Sequence, residues 1–355
     1  DFGFDISGTR EISISNTDKE RISKVFSAII VIKILLIFLW LLILILLVEC
    51  IPKLKVNSNI YYLNFGVVVG QGLFPGWFFQ GIQRMKFVTI INILAKLIFT
   101  LLIFFIVNKE EDFYLVPAFN SIGFLIAGIF GLFLAFKHVS IRKPDINLIK
   151  KLFKDSVTLF FGKLATNIFT TCNILILGLF AGNTIVGIFS SFEKLILAIK
   201  NIYTPFFQAA FPWLANKPEH EKRAFIKKTV PYVFSVGAFT CLTIIIFGDE
   251  ILMLVFNNSS LNEYSIVFKV FSVIGIVSGL NMVYISLYLP AAKKYEVRMK
   301  IFITAAVFHL LVSMILTPFY QIYGIVLSVI LTESFLLLLG YYYFKRGNVS
   351  AKNTF

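Results

Sequence analysis

The chain has 355 residues, of which 58% are hydrophobic, 16% aromatic and only 15% charged, with a formal net charge of +14. That balance excludes a soluble globular domain, in which about a quarter of residues are charged. The positive surplus reads as membrane topology and attraction to anionic headgroups rather than nucleic-acid binding.

The opening Asp1-Phe-Gly-Phe-Asp5 is polar chain with neither Met nor a signal peptide, and it reads as the surviving part of a longer protein. Ten apolar runs follow, over about 25–48, 60–82, 87–107, 113–136, 157–180, 184–212, 229–247, 262–289, 299–318 and 322–344, each long enough to cross a bilayer as a helix. The run from Ile34 to Val48 is almost wholly aliphatic. Barrel strands are about ten residues long and alternate, so the predicted fold is an all-α integral membrane bundle of ten transmembrane helices.

Alternate connections carry 24 of the 33 lysines and arginines, from Arg10, Lys19, Arg21 and Lys24 at the start to Lys345, Arg346 and Lys352 at the end. The opposite connections hold only Lys53, Lys55 and Lys109, against Glu49, Glu110, Glu111, Asp112, Asp249, Glu250 and Glu263. Cytoplasmic loops carry the basic excess, so both ends of the chain are expected in the cytoplasm of a bacterial inner membrane. Three cysteines, Cys50, Cys172 and Cys241, show no paired spacing and read as small apolar residues.

The longest cytoplasmic connection, 137–156, separates four spans (1–136) from six (157–346), with 347–355 as a cytoplasmic tail. Ile146, Ile149, Leu152 and Phe153 share one face of a helix with lysines opposite, the pattern of an amphipathic helix lying on the membrane. On the fourth span Gly123, Ala127 and Gly131 form a small-residue row suited to close helix contact. Trp40 is read as packing, and Trp77 and Trp213 as interfacial anchors.

Several blocks resemble one family. Asp1-Phe-Gly-Phe-Asp-Ile-Ser-Gly-Thr-Arg-Glu-Ile-Ser13, Pro75-Gly-Trp-Phe-Phe-Gln-Gly-Ile-Gln-Arg-Met-Lys86, Gly187-Ile-Phe-Ser-Ser-Phe-Glu-Lys-Leu195 and Gln208-Ala-Ala-Phe-Pro-Trp-Leu214 are similar in kind and order to sequence blocks of Wzx-type O-antigen flippases. These belong to the larger superfamily that includes multidrug and toxin extrusion (MATE) transporters. The resemblance covers essentially the whole chain. It implies a twelve-helix, two-lobe bundle from which the first two helices are largely absent here, matching the four-plus-six count. It also implies the activity, moving a polyprenyl-diphosphate-linked oligosaccharide from the cytoplasmic to the periplasmic leaflet, with membrane lipid and other polysaccharide assembly proteins as partners. The sugar is not identified.

Independently of the resemblance, six lysines lie inside spans: Lys33, Lys96, Lys163, Lys194, Lys200 and Lys269. Each costs about 2.5 to 3.5 kcal/mol at a helix centre on insertion scales, so each needs water, a partner charge or a purpose. Thr89, Asn92, Lys96 and Thr100 share a face of the third span, and Lys163, Thr166, Asn167 and Thr170 a face of the fifth. On the sixth, Ser190, Glu193, Lys200, Asn201, Thr204 and Gln208 form a polar stripe with Lys194 at its edge. The three charges of that span cost about 8 to 10 kcal/mol against a return of about 5 to 9 from its apolar residues, so it requires neighbours. Glu193 and Lys200 are two turns apart and share a face without touching.

The candidate substrate-binding residues are therefore Lys96, Lys163, Asn167, Lys194 and Lys200, whose ammonium groups suit phosphate oxygens. Glu193 and Glu333 are candidates either for counter-ions or for carboxylates that exchange a driving proton. Arg10 and Arg84 are candidates for a cytoplasmic gate. Lys33 and Lys269 either line the path or snorkel to an interface, and His309 is read as hydrogen-bonded within the bundle. Neither a phosphate-binding Gly-Lys-Ser/Thr loop nor a His-Glu-x-x-His pair occurs, so no cofactor, metal or enzymatic activity is expected. The alternatives are a membrane-embedded glycan polymerase or transferase, which would usually need a sizeable extramembrane loop, and a cation-coupled drug exporter, which should favour acidic cavity faces.

Overall fold

A computed structural model describes residues 2–15 and 18–352, with side chains at 110, 111, 259, 260 and 347–352 outside the description. Asp1, the side chains of Glu110, Glu111 and Lys352, and the end of the expected tail thus fall outside the described residues. The described chain is helical, without a strand. Seven segments are long and apolar enough to cross a membrane: Lys19–Cys50, Met85–Ile106, Asp112–Phe136, Ile146–Ala215, Glu219–Phe256, Leu261–Ala291 and Tyr295–Arg346. This is a multi-pass membrane protein.

Two of the seven are much longer than one crossing. A straight helix from Ile146 to Ala215 would measure about 105 Å against a hydrocarbon core of about 30 Å. Gly182 breaks it at φ 74°, ψ 169°, a backbone conformation that side chains with a Cβ rarely adopt. Gln321 breaks the last segment at φ 47°, ψ −121°. Both breaks fall between runs that the sequence reads as separate spans. The Ser58–Leu73 helix has 16 residues, about 24 Å, and continues after Pro75 as a short helix Gly76–Gly81.

The chain divides into two compact units, Asp1–Val157 and Thr158–Phe355. In the first, the Asp18 side chain caps the Lys19–Cys50 helix by accepting from the Arg21 amide at 3.0 Å. Phe4, Ile12, Val25, Phe26, Trp77, Phe78 and Leu152 pack into one core. Trp77 is therefore core rather than interfacial anchor, while Trp40, read as packing, is half exposed. The expected small-residue row does bring helices together. A Cβ on Gly123 would lie 2.9 Å from the Ala95 carbonyl oxygen, and one on Gly128 2.5 Å from that of Gly70, so these backbones touch.

The connection expected to lie on the membrane keeps Ile146 and Phe153 exposed and turns Leu152 inward. Leu152 is buried in the core of the first unit, Phe153 stacks on Phe2 with ring centroids 5.5 Å apart, and the Ser156 and Ser7 hydroxyls meet at 2.6 Å. The helical face read from the sequence is present. Its inward residue, Leu152, packs with Phe4 and Ile12 of the Phe4–Ile14 helix.

The second unit is centred on Leu177, Phe189, Phe192, Phe268, Phe271, Ile274, Ile325 and Val326. A π-helical turn, Met282–Tyr288, interrupts the segment that follows Ile274. At one end Arg223 is buried and fully engaged: it bonds Glu219 at 2.9 Å, the Phe344 carbonyl at 2.7 Å and the Tyr288 hydroxyl at 2.5 Å.

A candidate substrate cavity in the second unit

The polar stripe of the sixth predicted span, residues 184–212, gains its partners from three other helical stretches. Lys200 Nζ donates to Glu333 Oε1 at 2.6 Å, and the Asn281 side-chain amide donates to Glu333 Oε2 at 2.7 Å and to the Glu333 backbone oxygen at 2.9 Å. The lysine side chain is 27% exposed and the carboxylate 7%. A charge so nearly buried persists because it is paired and hydrogen-bonded. One turn beyond the predicted face of the 157–180 span, Asn173 donates to Glu193 Oε1 at 3.4 Å. The Asn173 carbonyl oxygen lies 2.8 Å from His309 Nε2, and His309 Nδ1 lies 2.9 Å from the Thr332 hydroxyl.

Four of these groups, Asn173, Glu193, Lys200 and Glu333, border a cavity of about 370 Å³. Glu193, Lys194, Lys200 and Glu333 line it, with Asn173 and Thr170 among the polar neighbours and Phe169, Phe271 and Ile274 among the apolar ones. Four sequence-identified residues thus meet on one cavity. Its two lysines face two glutamates, so its formal charge is balanced rather than basic. The carboxylate in direct contact with Lys200 is Glu333, from the last helical stretch, while Glu193 shares the cavity.

The other candidates lie elsewhere. Lys163 is partly buried and Asn167 exposed, on the helix that carries Asn173, and neither lines the cavity. Lys163 is ten residues, about 15 Å of helix rise, from Asn173. Lys96 belongs to the first unit, where it and Thr89 and Thr100 are exposed while Ile91 and Ala95 form the buried face. Of the three lysines that share polar faces with neighbours, only Lys200 therefore lines this cavity, because a shared face on each helix does not set the depth at which its residues sit.

Arg10 and Arg84 have different partners: Arg10 Nη1 is 3.7 Å from Glu11, and Arg84 Nη1 is 2.7 Å from His138 Nε2. Lys33 is buried, and Lys269 pairs with Asp249 at 2.6 Å. Sequence reasoning missed Asn173 and Asn281. Asn173 continues the Lys163, Thr166, Thr170 spacing by three residues, so the signal was there; Asn281 offered only an amide inside an apolar run.

The model of the polysaccharide biosynthesis protein family matches residues 1–217. A relative in Escherichia coli K12 called "Putative O-antigen transporter" is 26% identical over 94% of this chain and 81% of its own length. A relative of the same name in Shigella dysenteriae is 27% identical over 95% of this chain and 85% of its own. Among solved structures, an outward-facing MATE family transporter of the MOP superfamily superposes with a TM-score of 0.80 at 12% identity, covering 100% of this chain and 85% of that one. The Vibrio cholerae MATE transporter VcmN in its bent form gives 0.79 at 16% identity, covering 99% and 85%. At such identities the structures speak for the fold alone, which is MATE-like. The match across residues 1–217, more than half the chain, places this protein in the polysaccharide biosynthesis protein family.

Proposed function

We propose that this chain is a flippase that carries a polyprenyl-diphosphate-linked oligosaccharide from the cytoplasmic to the periplasmic leaflet of a bacterial inner membrane. The observation that carries the reading is the cavity of the second unit, where Lys200 and Lys194 stand beside Glu193 and Glu333 within helices that otherwise read as membrane spans. Relatives called O-antigen transporters support the class of cargo. The non-enzymatic reading rests on the same names.

In this reading the chain crosses the membrane ten times. The breaks at Gly182 and Gln321 each divide a long segment into two crossings, and Ser58–Gly81 supplies one more. Residues 1–136 and 157–346 belong to two lobes that alternate in access, as the likeness to MATE structures in several conformations suggests. The cargo's diphosphate competes with Glu333 for Lys200, so the lysine is presented only when an anion arrives. Lys96, Lys163 and Asn167 serve other stages of the same path, Arg10 and Arg84 act at the cytoplasmic entrance, and the polyprenyl tail stays in lipid.

The test is surface glycan in a deletion strain complemented with Lys163→Ala, Lys200→Ala or both, at matched protein level. Impaired export with unlengthened, lipid-linked repeat units accumulating inside is expected; normal surface glycan in both single variants and the double would sink the reading. Vesicle assays separate a carrier from a polymerase, since only the latter lengthens the glycan.

A further inference from the structure

A second cleft lies in the first unit, at the end whose connections carry Glu49 and Asp112 and which the charge rule assigns to the periplasm. It has a volume of about 600 Å³, within the range of small-molecule sites. Asn57, Ser58 and Asn59 form its polar side where the Ser58–Leu73 helix begins. Tyr62, Phe113 and Tyr114 form its aromatic side. Among the described residues that line it, none carries a charge.

Aromatic side chains gather at membrane interfaces in any case. What distinguishes this cleft is its amides. Asn57 occupies the position before the helix, where an asparagine side chain ordinarily caps, yet it makes no capping hydrogen bond. Asn57 and Asn59 are both exposed, and each offers an acceptor oxygen and two amide donors. Opposite them, the Phe113 and Tyr114 rings stand at 83° with centroids 6.3 Å apart, so they present two faces at nearly a right angle. Vicinal sugar hydroxyls pair with amides that donate and accept at once, and the C–H face of a pyranose ring rests on an aromatic face. A phosphate headgroup would instead call for a cation, and none lines the cleft among the described residues; Lys55 nearby is engaged with Glu49 at 2.6 Å.

We propose that this cleft is a subsite for uncharged sugar rings of the cargo glycan, separate from the site for its diphosphate. The inference rests on the carrier reading. It assigns glycan recognition to the first unit and charge recognition to the second.

The experiment is saturation-transfer NMR on the protein in lipid nanodiscs, with a single repeat-unit oligosaccharide released by mild acid from the surface glycan of the source strain as probe. Transfer from the wild-type protein to ring protons is expected, at least tenfold weaker binding in Asn57→Ala/Asn59→Ala, and a smaller loss in Phe113→Leu, which keeps apolar bulk but removes a face. Absent transfer from the wild type, or unchanged binding in both variants, would overturn it. Transfer to phosphatidylethanolamine headgroups that both variants abolish while the sugar signal survives would make the cleft a lipid site and likewise overturn it. Lys200→Ala should retain the sugar signal. If Lys200→Ala exports normally while the asparagine variant loses the sugar, the cavity reading fails and the subsite stands.

Discussion

The two units place their buried charges differently in helices of similar composition. In the first, helices close on one another through small residues: Gly70, Gly123 and Gly128 let backbones touch, and its buried carboxylate, Glu11, lies at the basic end among Arg10, Arg21 and Lys151 at 3.1 to 3.7 Å. In the second, helices also touch at glycine, where a Cβ on Gly237 would lie 2.7 Å from the Ile276 Cα, but the charges lie within the apolar stretches beside a cavity, as Lys200–Glu333 and its amide and imidazole neighbours. An open interior requires polar groups that satisfy one another.

The comparison can be broken at three points. Glu333→Ala strands the Lys200 ammonium in a mostly buried site and should cost about 3 to 5 kcal/mol. Combining it with Lys200→Met should recover much of that loss, because both charges go together. Thermal unfolding of the single and double variants in detergent reads the difference, and equal stability of the single variant and wild type would remove the ion pair from the account. In the first unit, Gly70→Ala places a methyl group against the Phe124 backbone and should cost about 1 to 3 kcal/mol by forcing the helices apart. Gly187→Ala in the second unit, where nothing lies within 4 Å, is its control. The smallest effect is expected at Lys96→Ala, on an exposed face: within about 0.5 kcal/mol in stability. A large loss there would mean that Lys96 has a partner that its exposed position conceals.

Much of the site was legible one helix at a time. The spacing of Glu193, Lys200 and the hydroxyls along 184–212 marked a face that could not meet lipid, and the lone glutamate and histidine of the last spans marked helices able to answer it. The pairing was not legible. Lys200 and Glu333 are 133 residues apart, and nothing in either helix's periodicity states which turn lies at which depth. The same limit explains Trp77 and the 146–157 helix: amphipathic spacing shows that a face is apolar, but burial against Phe4–Ile14 and burial in a membrane surface ask for the same residues.

The sequence by itself determined the class of protein, the helical breaks near Gly182 and Gln321 and the inventory of intramembrane charges, since these depend on local composition and the thickness of a bilayer. Only the tertiary structure decided that Glu333 rather than Glu193 holds Lys200, that Lys163 and Asn167 lie off the cavity, and that the cavity is charge-balanced. Those outcomes depend on how far each helix is displaced along its axis against its neighbours, a quantity set by the packing of side chains from distant segments.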